Sequence, residues 1–274
     1  MSTTFELTIR ARRGWQPIDL REIFLYRELL AFLVWRDVKI RYRQTLLGGL
    51  WAVLQPLIAM LIFTFIFNRV AHVQSDGPPY KLFAYAGLAP WTFFSTAVSL
   101  SSNSLIANQQ LVSKVYFPRI FIPLGAIGAL LVDLMFSLGL FALLMVYYRW
   151  PITPALAWLP VFMLAAVLAA AGIGLILSAM NVSFRDVKYA VPFLVQMGLF
   201  ITPVIYPPSY LPKHFQILLS LNPMAGVVIG FRHALLGSPA SWSVMGWSLA
   251  ISTLLFLAGL VVFRRMENRF ADII

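Results

Sequence analysis

Residues 120–148 read IFIPLGAIGALLVDLMFSLGLFALLMVYY, and Asp133 is the one charged side chain among them. A helix of about 20 apolar residues crosses the roughly 30 Å hydrocarbon layer of a bilayer, so this stretch predicts a transmembrane helix. The whole chain has the same character, since 60% of its 274 residues are hydrophobic and 11% are charged. Soluble domains carry about a quarter charged residues. The composition therefore excludes a soluble globular protein.

Stretches of similar length and character recur along the chain and predict six transmembrane helices. The predicted spans are Leu46–Phe67, Leu82–Ile106, Ile120–Tyr148, Val161–Met180, Tyr189–Tyr206 and Trp242–Phe263. The fifth is short and contains Pro192 and Pro203. We expect an all-α integral membrane protein. Its parts are a cytoplasmic N-terminal segment (1–45), a six-span transmembrane domain (46–265) and a cytoplasmic tail (266–274).

The basic residues set the predicted orientation. There are 21 Lys and Arg against 10 Asp and Glu, a net charge of +11. With the N-terminus inside, 16 of the 21 basic side chains fall in cytoplasmic segments, which obeys the positive-inside rule. Both termini are therefore expected to be cytoplasmic, and the excess charge points to a membrane and not to nucleic acid. No signal peptide is apparent. The absence of cysteine excludes disulfides and thiolate chemistry.

Residues 20–35, LREIFLYRELLAFLVW, are too polar to span a membrane and predict an amphipathic helix on its surface. The helix is either a simple interfacial anchor or also part of a docking surface for a cytoplasmic partner. Its expected apolar face consists of Ile23, Phe24, Leu30 and Val34, and its polar face of Arg21, Glu22, Arg27 and Glu28.

A basic run follows this helix, with Arg36, Lys39, Arg41 and Arg43 interrupted by the acid Asp37. The positive-inside rule alone is enough to explain it. Alternatively, the run attracts the anionic head group of a lipid, each basic residue contributing about 1 kcal/mol near an anionic surface. Both explanations can hold together.

Two polar features interrupt the predicted spans. Asp133 costs roughly 3 kcal/mol to insert and has no basic residue inside a span to pair with. We expect a structural or dimer-interface role, with a hydrogen bond to Ser137, in preference to a proton relay. The second feature is a stripe that either lines a channel or packs against a neighbouring helix. It consists of Trp91, Ser95, Ser99, Ser102 and Asn103.

Residues 207–237 are too polar and too rich in proline to span. They predict two short re-entrant helices between spans five and six, Ser209–Leu221 and Pro223–Leu236. Asn222 is the expected N-cap of the second helix, and Pro223 its first residue.

Four motifs occur in the order in which the membrane subunit of type-2 ABC exporters has them. The chain therefore resembles that family over residues 20–265, in the branch that exports O-antigen, capsule and teichoic acid polymers. The motifs are Arg36-Asp37-Val38-Lys39-Ile40-Arg41-Tyr42 with Thr45, Leu47-Gly48, Trp51 and Gln55-Pro56; Asn108, Leu111, Val112 and Lys114 with Phe117-Pro118-Arg119 and Pro123; Phe184-Arg185-Asp186-Val187; and Pro203-Val204-Ile205-Tyr206-Pro207 with Leu221-Asn222-Pro223 and Phe231-Arg232.

The resemblance implies a homodimer that forms a channel in the bacterial inner membrane above two copies of an ATP-binding subunit. It also implies a lipid-linked polysaccharide substrate, O-antigen first among the candidates. This chain has no G-x-x-x-x-G-K-[ST] phosphate loop. ATP and Mg²⁺ are therefore expected on the partner subunit, with no catalytic, cofactor or metal site in this chain.

The resemblance further implies the residues that couple and gate transport. The loop after span two is expected to contact the ATP-binding subunit, assisted by the loop after span four. The coupling candidates are Gln109, Gln110, Lys114, Phe117, Pro118, Arg119, Arg185 and Asp186. The outer segment is expected to form a gate from Tyr206, Asn222, Pro223 and Arg232. A plain connecting turn, a local Arg185–Asp186 ion pair and a packing hairpin without gating stay open as alternatives.

Two other functions compete with polysaccharide export. One is an ABC exporter of drugs or small lipids. The other is a membrane enzyme that acts on lipid-linked sugars. The enzyme is disfavoured because its potential acid–base residues are scattered and no H-x-x-x-H metal spacing occurs. Those residues are His72, His214, His233 and Asp76.

Overall fold

A computed structural model describes residues 24–43, 49–73, 75, 77–115, 117–184, 186–212, 215, 218–267 and 270. Regular structure within these ranges is entirely helical, which confirms the all-α expectation. Four residues of the predicted amphipathic helix (20–23), the start of the first predicted span and the coupling candidate Arg185 lie outside the described residues.

The described helices follow the hydropathy pattern closely. They are α1 (Arg27–Arg43), α2 (Leu50–Phe63, continued by a π-helix over Thr64–Val70), α3 (Tyr80–Ala107), α4 (Gln109–Lys114), α5 (Phe121–Tyr147), α6 (Leu159–Ser183, preceded by a 3₁₀ turn over Pro154–Trp158), α7 (Val187–Ile201), α8 (Pro223–Leu236) and α9 (Trp242–Glu267).

Four helical stretches of the described chain are long and apolar enough to cross a membrane. They are Leu50–Val70, Phe121–Tyr147, Pro154–Ser183 and Trp242–Glu267. These correspond to predicted spans one, three, four and six. Predicted span two coincides with α3, whose 28 residues extend about 42 Å but include the serine-rich stretch near its end.

Predicted span five differs most from the structure. Its helix α7 has 15 residues and ends at Ile201, five residues before the predicted end. Pro203 explains the early end, because a residue before proline is pushed out of the helical region. Thr202 accordingly has extended backbone angles, φ −86° and ψ 138°. At 1.5 Å per residue, α7 is about 22 Å long.

The core is built around α6, which packs against α9 on one side and α3 on another. Alanine and glycine allow the helices to approach closely, as in many membrane proteins. A Cβ added to Gly172 of α6 would lie 2.5 Å from the Leu255 carbonyl carbon of α9, and one added to Gly259 would lie 2.5 Å from the Gly172 carbonyl oxygen. Backbone therefore meets backbone where these two spans cross.

Helix α1 lies along α5. Leu33 is buried beside Gly125, and Val34 packs over Gly128. The predicted division into one apolar and one polar face is only partly seen, since Phe24, grouped with Leu30 and Val34, is exposed. Other large apolar side chains of α1 also point away from the protein, namely Phe32, Trp35 and Ile40.

The α3 helix defines two ends of the bundle. Its first turns lie beside α8, and its last residue precedes α4. We refer to these as the α8 end and the α4 end. The α4 end has its own hydrophobic cluster, which joins α1, the α4–α5 connection, α6 and α9.

Candidate transport and coupling sites

The predicted coupling loop divides into an exposed helix and a buried connection. Gln109, Gln110 and Lys114 lie on α4 and are exposed, whereas Phe117 and Pro118 are buried. A proline disfavours helix at the residue before it, but α4 ends well before Pro118, at Lys114, and Val115 is already extended. Of the coupling candidates in this loop, those exposed to a partner are therefore on α4, and Phe117-Pro118 packs inside the protein.

Arg119 is held by the end of the last span. Its Nη1 donates to the backbone oxygen of Glu267 over 2.8 Å, and its backbone N–H donates to the Glu267 Oε1 atom over 3.3 Å. The Glu267 Oε2 atom is 2.9 Å from Nη1 of Arg264. Arg119 is thus a half-buried anchor of the coupling connection. Glu267 lies in the tail that sequence reasoning left without a role.

Asp186, the described member of the second predicted coupling pair, is exposed and directly precedes α7. Its backbone oxygen accepts from the N–H groups of Tyr189 and Ala190, each over 3.0 Å. Its carboxylate makes no side-chain cap bond to this helix. The carboxylate is therefore placed where another protein can reach it.

The four basic head-group candidates divide into two that are paired and two that are exposed. Arg36 contacts its neighbour Asp37 at 2.7 Å, and Arg41 contacts Asp133 at 2.8 Å. Lys39 and Arg43 are exposed. Of these four candidates, those whose positive charge faces outward from α1 are therefore Lys39 and Arg43.

Asp133 finds its partners on α1, outside the spans. Its Oδ2 atom pairs with Arg41, and its Oδ1 atom accepts a hydrogen bond from the Tyr42 hydroxyl. Burial, and then this bond to a carboxylate, raise the pKa of Tyr42 well above its ordinary value. Ser137, the partner expected from the sequence, donates instead to the Ala52 carbonyl over 3.3 Å. Asp133 thus ties α1 to α5, which agrees with a structural role.

This ion pair lines an open cleft of about 320 Å³ between α1, α2, α3 and α5. The other polar side chains around it are Gln55, Thr92, Thr96 and Ser137. A charged pair surrounded by amide and hydroxyl groups can stay hydrated at membrane depth, which lowers the cost of its burial. The cleft therefore explains how Asp133 is tolerated inside a span.

The predicted channel stripe on α3 is mostly engaged within this chain. Trp91 is buried against Phe94 and Gly198, and Ser102 is buried beside α6. Ser95 and Ser99 are half-buried and donate to carbonyls of their own helix, at 3.1 and 2.8 Å. Within a single chain, the packing of α3 against neighbouring helices accounts for the burial of Trp91 and Ser102.

Asn181 of α6 lies beside Ser102 and Asn103, toward the α4 end of this stripe, and was missed by sequence reasoning. Its amide nitrogen donates to the Ser102 carbonyl over 2.9 Å and to the Asn103 side-chain oxygen over 3.1 Å. Asn181 is buried. An amide in an otherwise apolar span is the signal that could have identified it, since such residues commonly bond across helices.

The predicted outer-gate residues meet at the α8 end. Asn222 caps α8 as expected, accepting from the Met224 N–H at 2.9 Å, and Pro223 is the first helical residue. The Asn222 amide also donates to Thr202 over 2.9 Å. The half-buried Tyr206 donates to the Phe200 carbonyl over 3.0 Å. The predicted bounds and N-cap of α8 are therefore confirmed, and the N-cap residue reaches back to the break after α7.

Arg232 is the centre of this end and is only 2% exposed. Its guanidinium donates to the Phe83 carbonyl at 3.3 Å, to the Pro203 carbonyl at 2.7 Å and to the Val204 carbonyl, and lies 3.5 Å from the Phe83 ring centroid. The Tyr80 hydroxyl adds a 2.6 Å bond to the Ile205 carbonyl. Arg232 thus provides the donors for the backbone turn that follows Pro203.

The other predicted outer helix, Ser209–Leu221, is not confirmed at its start. Pro208–Tyr210 form a single 3₁₀ turn, and Leu211 is extended. Residues 213, 214, 216 and 217 lie outside the described part of the chain. Pro212 explains the difference at Leu211, because the residue before a proline is pushed out of the helical region.

These features define a class of protein. It is a polytopic helical membrane protein with a polar cleft around Asp133 and the exposed short helix α4 at one end. The family described as ABC-2 type transporter matches residues 28–236, and the chain belongs to this family. The match confirms the resemblance seen in the four motifs.

Curated relatives extend this similarity along nearly the whole chain. An O-antigen export system permease protein RfbA of Myxococcus xanthus is 33% identical over 261 residues, which cover 92% of this chain and 98% of the relative. The protein of the same name from Klebsiella pneumoniae is 30% identical, covering 90% and 95%. The polysialic acid transport protein KpsM of Escherichia coli is 29% identical, covering 94% and 98%.

Proposed function

We propose that this chain is the channel-forming permease subunit of an ATP-driven exporter of a lipid-linked polysaccharide, with O-antigen the first candidate. The observation that carries the proposal is the similarity to O-antigen and polysialic acid transport proteins over at least 90% of both chains. The alternative function, export of drugs or small lipids, predicts similarity to exporters of such compounds instead. The substrate crosses the bacterial inner membrane, and no nucleic acid is involved.

The proposed assembly is a homodimer with two copies of an ATP-binding subunit, which bind ATP and Mg²⁺. The exposed face of α4 supports this arrangement, because Gln109, Gln110 and Lys114 present two amides and a charge at one end of the bundle. Asp186 adds an exposed carboxylate before α7. The exposed Lys39 and Arg43 are proposed to attract the anionic head group of the lipid carrier first, and Arg36 and Arg41 act only when their carboxylate partners release them.

The coupling role is tested by reversing charge on α4. The double variant Gln110→Glu and Lys114→Glu is expected to insert normally but to lower co-purification with the ATP-binding subunit about tenfold, because rim charges steer and hold such contacts. Polymer export from a host that lacks the native chain should fall in parallel. The measurements are the yield of the partner after affinity purification and the amount of polymer at the cell surface.

Ser241→Glu is the matched control, since Ser241 is exposed before α9 and far from α4 along the bundle. It adds negative charge without touching the proposed interface. Unchanged partner yield in the α4 variant would contradict the coupling role. Loss of partner yield in the Ser241 control as well would show that the assay reports charge alone.

We also propose six spans with both termini cytoplasmic, so that the α4 end faces the cytoplasm. The cysteine-free sequence makes this testable, because a single introduced cysteine is labelled without background. In intact spheroplasts, a membrane-impermeant maleimide is expected to label Ser241→Cys and not Ser113→Cys. Inverted vesicles should reverse the pattern, and labelling of both positions from one side would contradict the topology.

A further inference from the structure

Glu267 is the last residue of α9, and two of its atoms bind Arg119 of the coupling connection. Its backbone oxygen and Oε1 accept from Arg119, and its Oε2 pairs with Arg264. Arg119 and Glu267 are separated by 148 positions in the sequence. The connection before α5 and the end of α9 are therefore joined at this point by specific polar contacts.

The geometry is that of a helix C-terminus capped by a residue from another element. The last carbonyls of a helix lack intrahelical donors, and cations are stabilised at this end by the helix dipole. Arg119 supplies both a donor and a charge to α9. Arg264, in the last turn of the same helix, completes the arrangement by holding the Glu267 carboxylate.

An apolar cluster lies beneath these bonds. Phe117 and Phe121 flank Arg119, and Phe263 of α9 contacts Phe270 edge to face, with ring centroids 5.4 Å apart. Val112 of α4 belongs to the same cluster and is 3% exposed. The connection after α4 is thus fixed to α9 by this apolar cluster and by the polar contacts among Arg119, Glu267 and Arg264, which we call the clasp. The clasp sets the position of the connection relative to the end of α9.

We propose that Glu267 is a positioning residue that transmits movement of α4 to the last span through Arg119. This inference rests on the proposed function, in which a partner subunit displaces α4. Movement of Arg119 pulls directly on the end of α9, whose Gly259 meets Gly172 of α6 backbone to backbone. The clasp therefore links the exposed helix to the two most closely packed spans.

The first test compares Glu267→Ala with the native chain in the complete exporter complex. Export is expected to fall about tenfold while ATP hydrolysis by the assembled complex stays within about twofold, a separation typical of lost coupling. Glu267→Gln keeps an oxygen for the Arg119 N–H and is expected to recover part of the export. Arg265→Ala, which truncates an exposed basic side chain in the same last turn of α9, is the matched control. Export and hydrolysis that fall together, or an unchanged export rate, would overturn the proposal.

The second test needs neither export nor the partner. Val112→Cys is the single cysteine, and its maleimide labelling rate reports how tightly the α4 end is closed. Glu267→Ala is expected to raise that rate about fivefold, because loss of the clasp favours local opening. An unchanged rate would overturn the clasp itself. If the native gene proves dispensable for polymer export, the proposed function fails, and the labelling rate still decides whether Glu267 positions α4.

Discussion

Reversing one charge of the Arg41–Asp133 pair is expected to abolish export, and reversing both is expected to restore much of it. In Asp133→Arg two cations would occupy positions now 2.8 Å apart, one of them inside a membrane span. Removing one partner of a buried pair costs about 3–5 kcal/mol. The Asp133 side chain is 14% exposed and that of Arg41 33%, so we expect the lower part of that range.

The measurement is the melting temperature of the detergent-solubilised protein, together with surface polymer. The double variant Arg41→Asp and Asp133→Arg keeps the pair with its direction reversed, so its melting temperature should lie above that of either single variant. Lys39→Asp makes the same charge change as Arg41→Asp at an exposed position of α1 and should leave the melting temperature unaltered. A double variant that melts no higher than the less stable single variant would contradict a stabilising Arg41–Asp133 ion pair.

Arg232→Met is expected to prevent accumulation of folded protein in the membrane. The substitution keeps a long apolar stem but leaves the carbonyls of Phe83, Pro203 and Val204 without their charged donor. Hydrogen bonds to charged groups contribute about 1.5–3 kcal/mol each, and Arg232 is 2% exposed, so water cannot readily replace them. The loss therefore exceeds about 3 kcal/mol, a large part of the stability of most domains.

Arg232→Lys sharpens this test, because an ammonium retains the charge but not the planar fork that reaches several acceptors. We expect intermediate loss, seen as a lower melting temperature and a smaller monodisperse peak in size-exclusion chromatography. Arg149→Lys, at an exposed position, controls for the substitution type. An Arg232→Lys protein with the native melting temperature would show that the fork geometry is unimportant.

Local rules of the sequence predicted the helices well, and long-range contacts account for what they missed. Asn222 and Pro223 were assigned correctly because an N-cap and a first-turn proline depend on neighbouring residues alone. The partner of Asp133 was sought one turn away, at Ser137, whereas Arg41 lies 92 positions earlier in the chain. A salt bridge between α1 and a span does not alter the hydrophobic periodicity of either segment, so the sequence pattern cannot reveal it.

The coupling loop shows the same limit. Its polar side chains Gln109, Gln110 and Lys114 were selected from the sequence and are exposed, but the end of α4 at Lys114 and the separation of Phe117-Pro118 from the exposed face were not predicted. That separation depends on apolar side chains from α1, α6 and α9, which converge only in three dimensions. Glu267 was overlooked for the same reason, because nothing near it in the sequence distinguishes it from a solvated tail residue.

The early end of α7 has a consequence for the surrounding lipid. In the proposed six-span topology α7 is the fifth span, and a helix of about 22 Å falls about 8 Å short of an average hydrocarbon layer, which is a case of hydrophobic mismatch. Polar backbone beyond Ile201 then lies at hydrocarbon depth, where it is tolerated only if protein shields it. Thr202, Val204 and Ile205 are buried, so protein shields this backbone on one side. On the exposed side, beside Phe200, the bilayer must thin locally to match the short helix.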